Sequence, residues 1–226
     1  MSARVLVVAK APVPGLAKTR LGRRLGHLAA GELAAAALLD TLDACAAAVG
    51  VDRCHLALAG DLDDGCRSGE IREALRSWHV FPQRGEGLGA RLAGAHHDLA
   101  RREPGPVVQV GADTPQLTPE DLRDAATGLR PGRSVVGPAV DGGWWLLGLA
   151  EPAGARVLPG VAMSTALTHR DTVAALSGAG LQVRSAPTLR DVDTVEDAAH
   201  VAVLAPDTRF AAAWARLGSD AGVEVG

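Results

Sequence analysis

The segment that decides the fold is SVVGPAVDGGWWLLGL, residues 134–149, in which two apolar runs are separated only by a short turn. Asp141, Gly142 and Gly143 lie at its centre, and an Asp followed by glycines favours a tight hairpin. Successive strands joined by so short a turn pair in the antiparallel direction. We therefore predict one antiparallel insertion, with strands at 134–138 and 144–149.

Outside this segment, strands and helices alternate along the chain. The predicted strands are 4–9, 54–59, 79–82, 107–110, 134–138, 144–149 and 181–185. The predicted helices are 29–48, 71–78, 89–101, 119–128, 164–177, 195–204 and 209–217. Such alternation indicates a mixed, mostly parallel sheet with helices on both faces. Because no linker or repeat interrupts it, we expect a single α/β domain over residues 1–226.

Composition excludes several classes of protein. With 47% apolar and 22% charged residues, a chain of 226 residues can bury a full core, which excludes intrinsic disorder. The net charge of −3 provides no positive field for nucleic acid or an anionic membrane. No run approaches the ~20 apolar residues of a membrane span, and the N-terminal apolar run is too short for a secretory signal.

The cysteines point to a reducing environment. Cys45, Cys54 and Cys66 are odd in number and show no C-x-x-C spacing, so neither a disulfide framework nor a zinc site is expected. We expect a cytoplasmic protein. The sequence does not indicate an oligomeric state.

The first predicted strand leads into KAPVPGLAKTRL, residues 10–21, which contains the only two lysines among 23 basic residues. Lys10, Lys18 and Arg20, with the hydroxyl of Thr19 and a glycine turn, could hold a polyphosphate. The alternative of a Walker A loop fails because Ala17 replaces its glycine and the loop prolines lack amide hydrogens. A merely solvated basic loop stays open as an alternative.

A second glycine-rich turn, QRGEGLGARL at 83–92, follows the third predicted strand. Gln83 offers a paired donor and acceptor suited to the edge of a base, and glycines such as Gly85 allow a flat ligand to approach the backbone. A flexible start to a helix explains the same glycines.

Carboxylates follow two further strands. Asp113, in GADTP at 111–115, would lie at the carboxyl edge of the sheet, where Mg²⁺ or Mn²⁺ bridged to substrate phosphates could bind. Asp193, in DVDTVED at 191–197, is a plausible second ligand, and the sequence leaves open whether Asp193 or Asp191 completes the metal site. An Asx turn at Asp113 and helix capping at Asp193 are the structural alternatives.

The central hairpin also carries candidate chemistry. Asp141 next to Gly142, Gly143 and Trp144 suits an acceptor that stacks on an aromatic ring and is deprotonated by a carboxylate. A hairpin with tryptophan in the core is the alternative. The seven histidines add little, because His96 and His97 are sequential and cannot form an i, i+4 metal pair.

Together these motifs resemble a bacterial family of GT-A-fold, nucleotide-diphospho-sugar-transferase-like proteins, associated with arsenosugar-biosynthesis glycosyltransferases. More distantly, the loop and DVDTVED are similar to the guanylyltransferases of molybdenum-cofactor and 2-phospho-lactate metabolism. The matching motifs run from residue 4 to residue 197. The resemblance implies a GT-A fold and a transferase that uses a nucleotide and a divalent metal ion.

Carried over position by position, the resemblance implies three groups of site residues. Nucleotide-binding residues would be Lys10, Pro14, Gly15, Lys18, Thr19, Arg20, Gln83, Gly85 and Leu88. Asp113 and Asp193 would hold Mg²⁺ or Mn²⁺. Acceptor-binding residues would be Asp141, Gly142, Gly143 and Trp144, and Asp141, Lys18 and Arg20 would act in catalysis.

Two departures from the family pattern keep the reaction open. Gly111 stands two positions before Asp113, so the D-x-D of typical GT-A glycosyltransferases is absent, and Met163 stands where the family tends to carry Trp. The leading hypothesis is a metal-dependent glycosyltransferase that moves a sugar from a nucleotide-diphosphate sugar to a small acceptor. The alternatives are a nucleotidyltransferase that uses a nucleoside triphosphate and releases pyrophosphate, and a nucleotide-binding protein without catalysis.

Overall fold

The computed structural model describes residues 3–221, and the side chains of residues 3–218. The strands are β1 (Arg4–Lys10), β2 (Cys54–Ala59), β3 (His79–Pro82), β4 (Val107–Val110), β5 (Arg133–Pro138), β6 (Trp144–Leu149) and β7 (Gln182–Ser185). They form one sheet in the order β3-β2-β1-β4-β6-β5-β7. Each strand begins and ends within one residue of the sequence prediction, because apolar runs bounded by turns mark the strands. The five inner strands are largely buried, whereas the edge strands β3 and β7 are partly exposed.

The predicted antiparallel insertion is confirmed. β6 pairs antiparallel with both β4 and β5, whereas all other neighbouring strands are parallel. Because β6 runs in the opposite direction, its first residue, Trp144, lies at the edge where the parallel strands end. The pairing of Pro138 with Trp144 is shifted by an irregularity at Gly137 and Pro138, which widens this edge.

The helices are α1 (Thr19–Leu25), α2 (His27–Val49), α3 (Ser68–Ala74), α4 (Leu88–Arg102), α5 (Pro119–Ala126), α6 (Thr168–Gly178), α7 (Val195–Leu204) and α8 (Arg209–Ala221). Two 3₁₀ helices, Val51–Arg53 and Pro152–Gly160, complete the order. Among the described residues, no helix is both long and apolar enough to cross a membrane.

Helices cover both faces of the sheet, as predicted. One core cluster joins the sheet to α2, α3 and α5 through Leu38, Ile71 and Leu122. A second joins the opposite face to α4 and the 152–160 segment through Leu99 and Leu158. A third packs α1, α7 and α8 against the outer side of α2, which explains why that alanine-rich helix is buried on both sides.

Candidate active site

Two adjoining cavities lie at the edge where the parallel strands end. The cationic cavity, of about 650 Å³, is lined by Lys10, Lys18, Arg20 and Arg91 among other residues. The acidic cavity, of about 300 Å³, is lined by Asp141 and Asp191 and carries Arg20 as its only cation among the described residues. Asp113 and Asp193 line both cavities.

Most of the predicted nucleotide-binding residues line the cationic cavity. They are Lys10, Lys18, Thr19, Arg20, Gln83 and Leu88. Pro14, Gly15 and Gly85 are not among its lining residues. Gly15 has φ +82°, and a Cβ on Gly85, at φ +121°, would lie 2.9 Å from the backbone of Ala90. These two glycines therefore shape the loops that carry the lining residues.

Lys18 is the central cation of the site. Its Nζ lies 2.5 Å from Asp113 Oδ1 and 3.1 Å from Asp193 Oδ1, and 11% of its side chain is exposed. Arg20 adds a longer contact of 3.5 Å from its Nη1 to Asp193 Oδ2. Burial lowers the pKa of Lys18, but the two carboxylates outweigh it, so the pKa lies above its ordinary value. Lys18 is therefore charged at neutral pH.

The backbone at this site is unusual in two places. Of the three non-glycine residues with positive φ in the described chain, Lys18 (φ 47°) and Ser164 (φ 59°) line the cavities. Left-handed conformations cost on the order of 1 kcal/mol for such residues and persist where the surroundings enforce them. Lys18 is also the residue before α1, so its conformation directs the ammonium toward the two carboxylates.

Gln83 lies on the wall of the cationic cavity, with its amide nitrogen already engaged. Nε2 donates to the carbonyl oxygens of Ala9 at 2.8 Å and Ala57 at 3.0 Å. Both amide hydrogens are thus used to hold the loop after β3 against β1 and β2. Only the Gln83 carbonyl oxygen is left to contact a ligand, as an acceptor.

Three of the four predicted acceptor-binding residues, Asp141, Gly143 and Trp144, line the acidic cavity. Asp141 Oδ1 accepts a 2.7 Å hydrogen bond from Gly143 N, and Trp144 Nε1 donates to Thr172 Oγ1 at 3.1 Å. Gly142 is not a lining residue; it has φ +89°, and a Cβ there would clash with the backbone of Ala166. Its role is to form the turn that presents its neighbours.

Asp191, which the sequence leaves open as the alternative to Asp193 for the metal site, is also a cavity residue. It lines the acidic cavity, and burial, reinforced by the charges of Asp141 and Asp193, raises its pKa to about 6. The signal was present in the sequence, since Asp191 stands two residues before Asp193. Thr194, in contrast, caps α7 by accepting a hydrogen bond from Asp197 N. The DVDTVED motif therefore supplies both cavity-lining aspartates and the N-terminal cap of a helix.

Asp113 and Asp193 fit a divalent cation in their chemistry. Two carboxylates that share one ammonium are near enough to share a metal ion, and Mg²⁺ and Mn²⁺ prefer oxygen ligands. Among the side chains of residues 3–218, no group of three or more His, Cys, Asp or Glu could hold a metal ion. A metal ion would therefore take its remaining ligands from substrate phosphates and water, as Mg²⁺ usually does.

Residues 41–165, more than half of the chain, match the family DUF2064, whose description is "Uncharacterized protein conserved in bacteria". The chain belongs to this family. The matched range of this DUF2064 protein includes Asp113, Asp141 and Trp144. It ends before Asp193, and it begins after the N-terminal loop. No curated protein matches the sequence.

Solved structures share the fold of this DUF2064 protein. A candidate nucleotide-diphospho-sugar transferase from Desulfovibrio desulfuricans G20 is 27% identical, with a TM-score of 0.82 over 98% of this chain and 96% of the other. A cytidylyltransferase from Leptospira borgpetersenii is 13% identical, with a TM-score of 0.56 over 98% and 96%. A nucleotidyl transferase from Methanothermobacter is 18% identical, with a TM-score of 0.53 over 88% and 95%. The chain has the nucleotide-diphospho-sugar transferase fold.

Proposed function

We propose that the protein is a metal-dependent glycosyltransferase that moves a sugar from a nucleotide-diphosphate sugar to a small acceptor. The observation that carries the proposal is the opposite charge of two cavities that meet at Asp113 and Asp193. The cationic cavity suits the nucleotide and its diphosphate, since Lys10, Lys18 and Arg20 can bind phosphate oxygens. The acidic cavity suits an uncharged, hydroxyl-bearing partner.

The acidic cavity favours sugar transfer over transfer of a nucleotide to a phosphate. Four aspartates line it, Asp113, Asp141, Asp191 and Asp193, against the single cation Arg20 among the described lining residues. Asp113 and Asp193 are paired with Lys18, so it is the charges of Asp141 and Asp191 that would disfavour a phosphate-bearing acceptor, such as phospholactate. Sugar hydroxyls can instead donate hydrogen bonds to carboxylates and stack against Trp144.

In this proposal Asp141 is the general base. Its Oδ1 is fixed by the Gly143 N–H, which leaves Oδ2 to take the proton of an acceptor hydroxyl as the new glycosidic bond forms. Lys18 and Arg20 stabilise the negative charge of the leaving nucleoside diphosphate. A metal ion held by Asp113 and Asp193 would supply further neutralisation of that diphosphate. Gln83 and Leu88 would contact the base and ribose.

The relatives support the proposal at two levels. The D. desulfuricans protein, whose name assigns it to the nucleotide-diphospho-sugar transferases, matches nearly the whole chain. The motif resemblance to arsenosugar-biosynthesis glycosyltransferases belongs to the same proposal and suggests where an acceptor could be sought. The three free cysteines are all buried, which suits the cytoplasm, where we propose that the enzyme works.

The test is to incubate the purified protein with several nucleotide sugars, a pool of hydroxyl-bearing acceptors and Mn²⁺, and to measure release of nucleoside diphosphate. Release should depend on Asp113 and Asp141. Asp124→Asn is the matched control, because Asp124 is exposed and lines neither cavity.

One observation favours nucleotidyl transfer instead: Gly111 stands where a D-x-D motif has its first Asp. The same protein is therefore incubated with the four common nucleoside triphosphates and the acceptor pool. Pyrophosphate release without diphosphate release from nucleotide sugars would overturn glycosyl transfer. Nucleotide binding that is independent of metal, with neither product formed, would indicate the third hypothesis, a binding protein without catalysis.

A further inference from the structure

Gln109 is a polar residue where the sheet should be apolar. It lies in β4 between Val108 and Val110, is 2% exposed, and lines the acidic cavity. Its side chain is on the face that carries the core cluster of Leu99 and Leu158, below α4. A buried amide in an apolar strand loses hydration, which is costly unless its polar atoms find partners.

One end of the Gln109 side chain has such a partner. His96, in α4, is fully buried, and its Nε2 lies 3.0 Å from Gln109 Oε1. Burial lowers the pKa of His96 to about 4, so the ring is neutral and carries one proton. A neutral histidine can hold that proton on either nitrogen.

The surroundings of His96 decide the direction of this hydrogen bond. His96 Nδ1 is buried without a partner. A proton on Nδ1 would leave a buried donor unsatisfied, and buried donors without partners are rarer than buried acceptors without partners. The proton therefore belongs on Nε2, which donates to Gln109 Oε1. This fixes the amide orientation and leaves Gln109 Nε2 as the free end.

Gln109 Nε2 has no hydrogen-bond partner among the described residues, and it is not sealed from the cavity, unlike His96 Nδ1. It therefore offers up to two N–H donors at the floor of a cavity whose other polar groups are mainly carboxylates, which accept. A ligand that satisfies the carboxylates and Gln109 together must offer donors to the aspartates and an acceptor to the Gln109 amide. A hydroxyl group does both, and a polyhydroxy compound presents several of them.

We infer that Gln109, positioned by His96, is a specificity-determining residue that donates a hydrogen bond to a hydroxyl oxygen of an uncharged polyhydroxy ligand in the acidic cavity. The inference rests on the proposed function and narrows its substrate class. The polyhydroxy group has two possible sources, the sugar of the nucleotide donor or a free acceptor. Asp141 and Asp191 line the same cavity and are not paired with Lys18, so they disfavour an anionic ligand there.

The test measures binding by calorimetry with Mn²⁺ present, in two arms. The donor arm compares UDP with UDP-glucose and GDP with GDP-mannose, so that the ratio of the two Kd values reports the effect of the attached sugar on binding. The acceptor arm titrates free glucose, mannose or glycerol into protein saturated with UDP or GDP. Glucose 1-phosphate is titrated in parallel and should bind more weakly than glucose.

We expect wild-type protein to show sugar-dependent binding in at least one arm. Gln109→Met, which keeps the side-chain length but removes the donors, should weaken that binding about tenfold and leave the Kd of UDP and GDP unchanged. His96→Leu should have the same effect, whereas His96→Gln, which restores a donor, should retain sugar binding. Thr41→Val is the control for loss of a buried polar group, since Thr41 is fully buried in α2 and lines neither cavity.

Sugar binding that is absent from wild-type protein in both arms, or unchanged in Gln109→Met, would overturn the inference, and so would tighter binding of glucose 1-phosphate than of glucose. Intact diphosphate binding shows in each case that the variant is folded. The proposed function fails separately, through absence of turnover. A protein without catalysis would still bind sugar through Gln109. A glycosyltransferase whose sugar binding is independent of Gln109 would still release diphosphate.

Discussion

The cationic and acidic cavities share Asp113 and Asp193 but are built from different parts of the chain and with opposite chemistry. The segment from the end of β1 to the start of α1 supplies the cationic cavity with Lys10, Lys18 and Arg20. The hairpin between β5 and β6 supplies the acidic cavity with Asp141, and Gln109 adds an uncharged amide at its floor. Under the proposed function, this difference would let one sheet edge hold a polyphosphate in the cationic cavity beside a neutral group in the acidic cavity.

The largest effect should come from a residue that belongs to both cavities. Asp113→Asn removes one carboxylate from the shared pair and one partner of the Lys18 ammonium. We expect turnover to fall about 1000-fold, together with loss of metal-dependent nucleotide binding. Diphosphate release and calorimetry measure the two effects. Metal-dependent nucleotide binding that persists in Asp113→Asn would show that Asp113 is not needed to hold the metal ion.

A change confined to the acidic cavity should affect the reaction and spare the nucleotide. Asp141→Asn keeps the side-chain shape and its hydrogen bond from Gly143 N but removes the base. We expect turnover to fall about 100-fold with unchanged Kd for nucleoside diphosphate, because general-base catalysis contributes on that order. Weaker diphosphate binding in this variant would contradict the division between the cavities.

Acid pH should destabilise the fold through His96, which contacts Gln109 at the floor of the acidic cavity. The native state keeps His96 neutral down to a pKa of about 4, whereas the unfolded chain takes up a proton near 6.5. The unfolded state therefore binds more protons between these values, and the free energy of unfolding decreases as pH falls through this window. At pH 5 this uptake of a proton by the unfolded His96 lowers the free energy of unfolding by about 2 kcal/mol.

Denaturant unfolding at pH 5 and pH 7 measures this contribution. His96→Gln should lose less stability than wild-type protein when the pH is lowered. His97→Gln is the matched control, because His97 is the exposed neighbour in the same helix. Equal acid sensitivity of wild type and His96→Gln would show that His96 is not held neutral by the fold. His55, whose pKa burial also lowers to about 4, retains its own share in both variants.

The smallest expected effect is on the cationic cavity alone. Lys18→Arg keeps the charge but places a longer, planar group where an ammonium is held between two carboxylates. We expect nucleoside diphosphate to bind about tenfold more weakly by calorimetry. Arg23→Lys, on the exposed surface of α1, exchanges the same residue types in the opposite direction and should change nothing. An unchanged Kd in Lys18→Arg would show that diphosphate binding needs a positive charge at this position but not an ammonium group.

The sequence predicted the strands better than the helices, for identifiable reasons. Helix α1 was missed because it is only seven residues long, begins after the left-handed Lys18 without a capping side chain, and ends at Gly26. The 152–160 segment was missed because it contains Pro152 and Pro159, which remove the hydrogen bonds of a regular α-helix. The start of α6 was predicted four residues early, since Thr168 accepts from Thr165 N and holds a turn before the helix.

The lining of the two cavities can be predicted from the sequence where its residues follow strands, and cannot where they lie within the core. Asp113, Asp141 and Asp193 stand in turns after strands, so their position at the sheet edge followed from the topology. Gln109 lies in an apolar strand, and it pairs with His96, thirteen residues earlier in the sequence and in a different element. Only the packing of α4 on β4 shows that these two side chains meet beneath a cavity.

The reversed direction of β6 has a consequence for how such proteins can diverge. Eight of the eighteen described residues that line the acidic cavity, from Ala139 through Trp144 to Thr168, lie on one uninterrupted stretch of chain. The phosphate-facing loop at residues 10–20 lies far from it in sequence. Under the proposed function, exchange of a single gene segment could therefore alter a large part of the acceptor side while the loop at residues 10–20 stays as it is, which would give this architecture a direct route to new substrates.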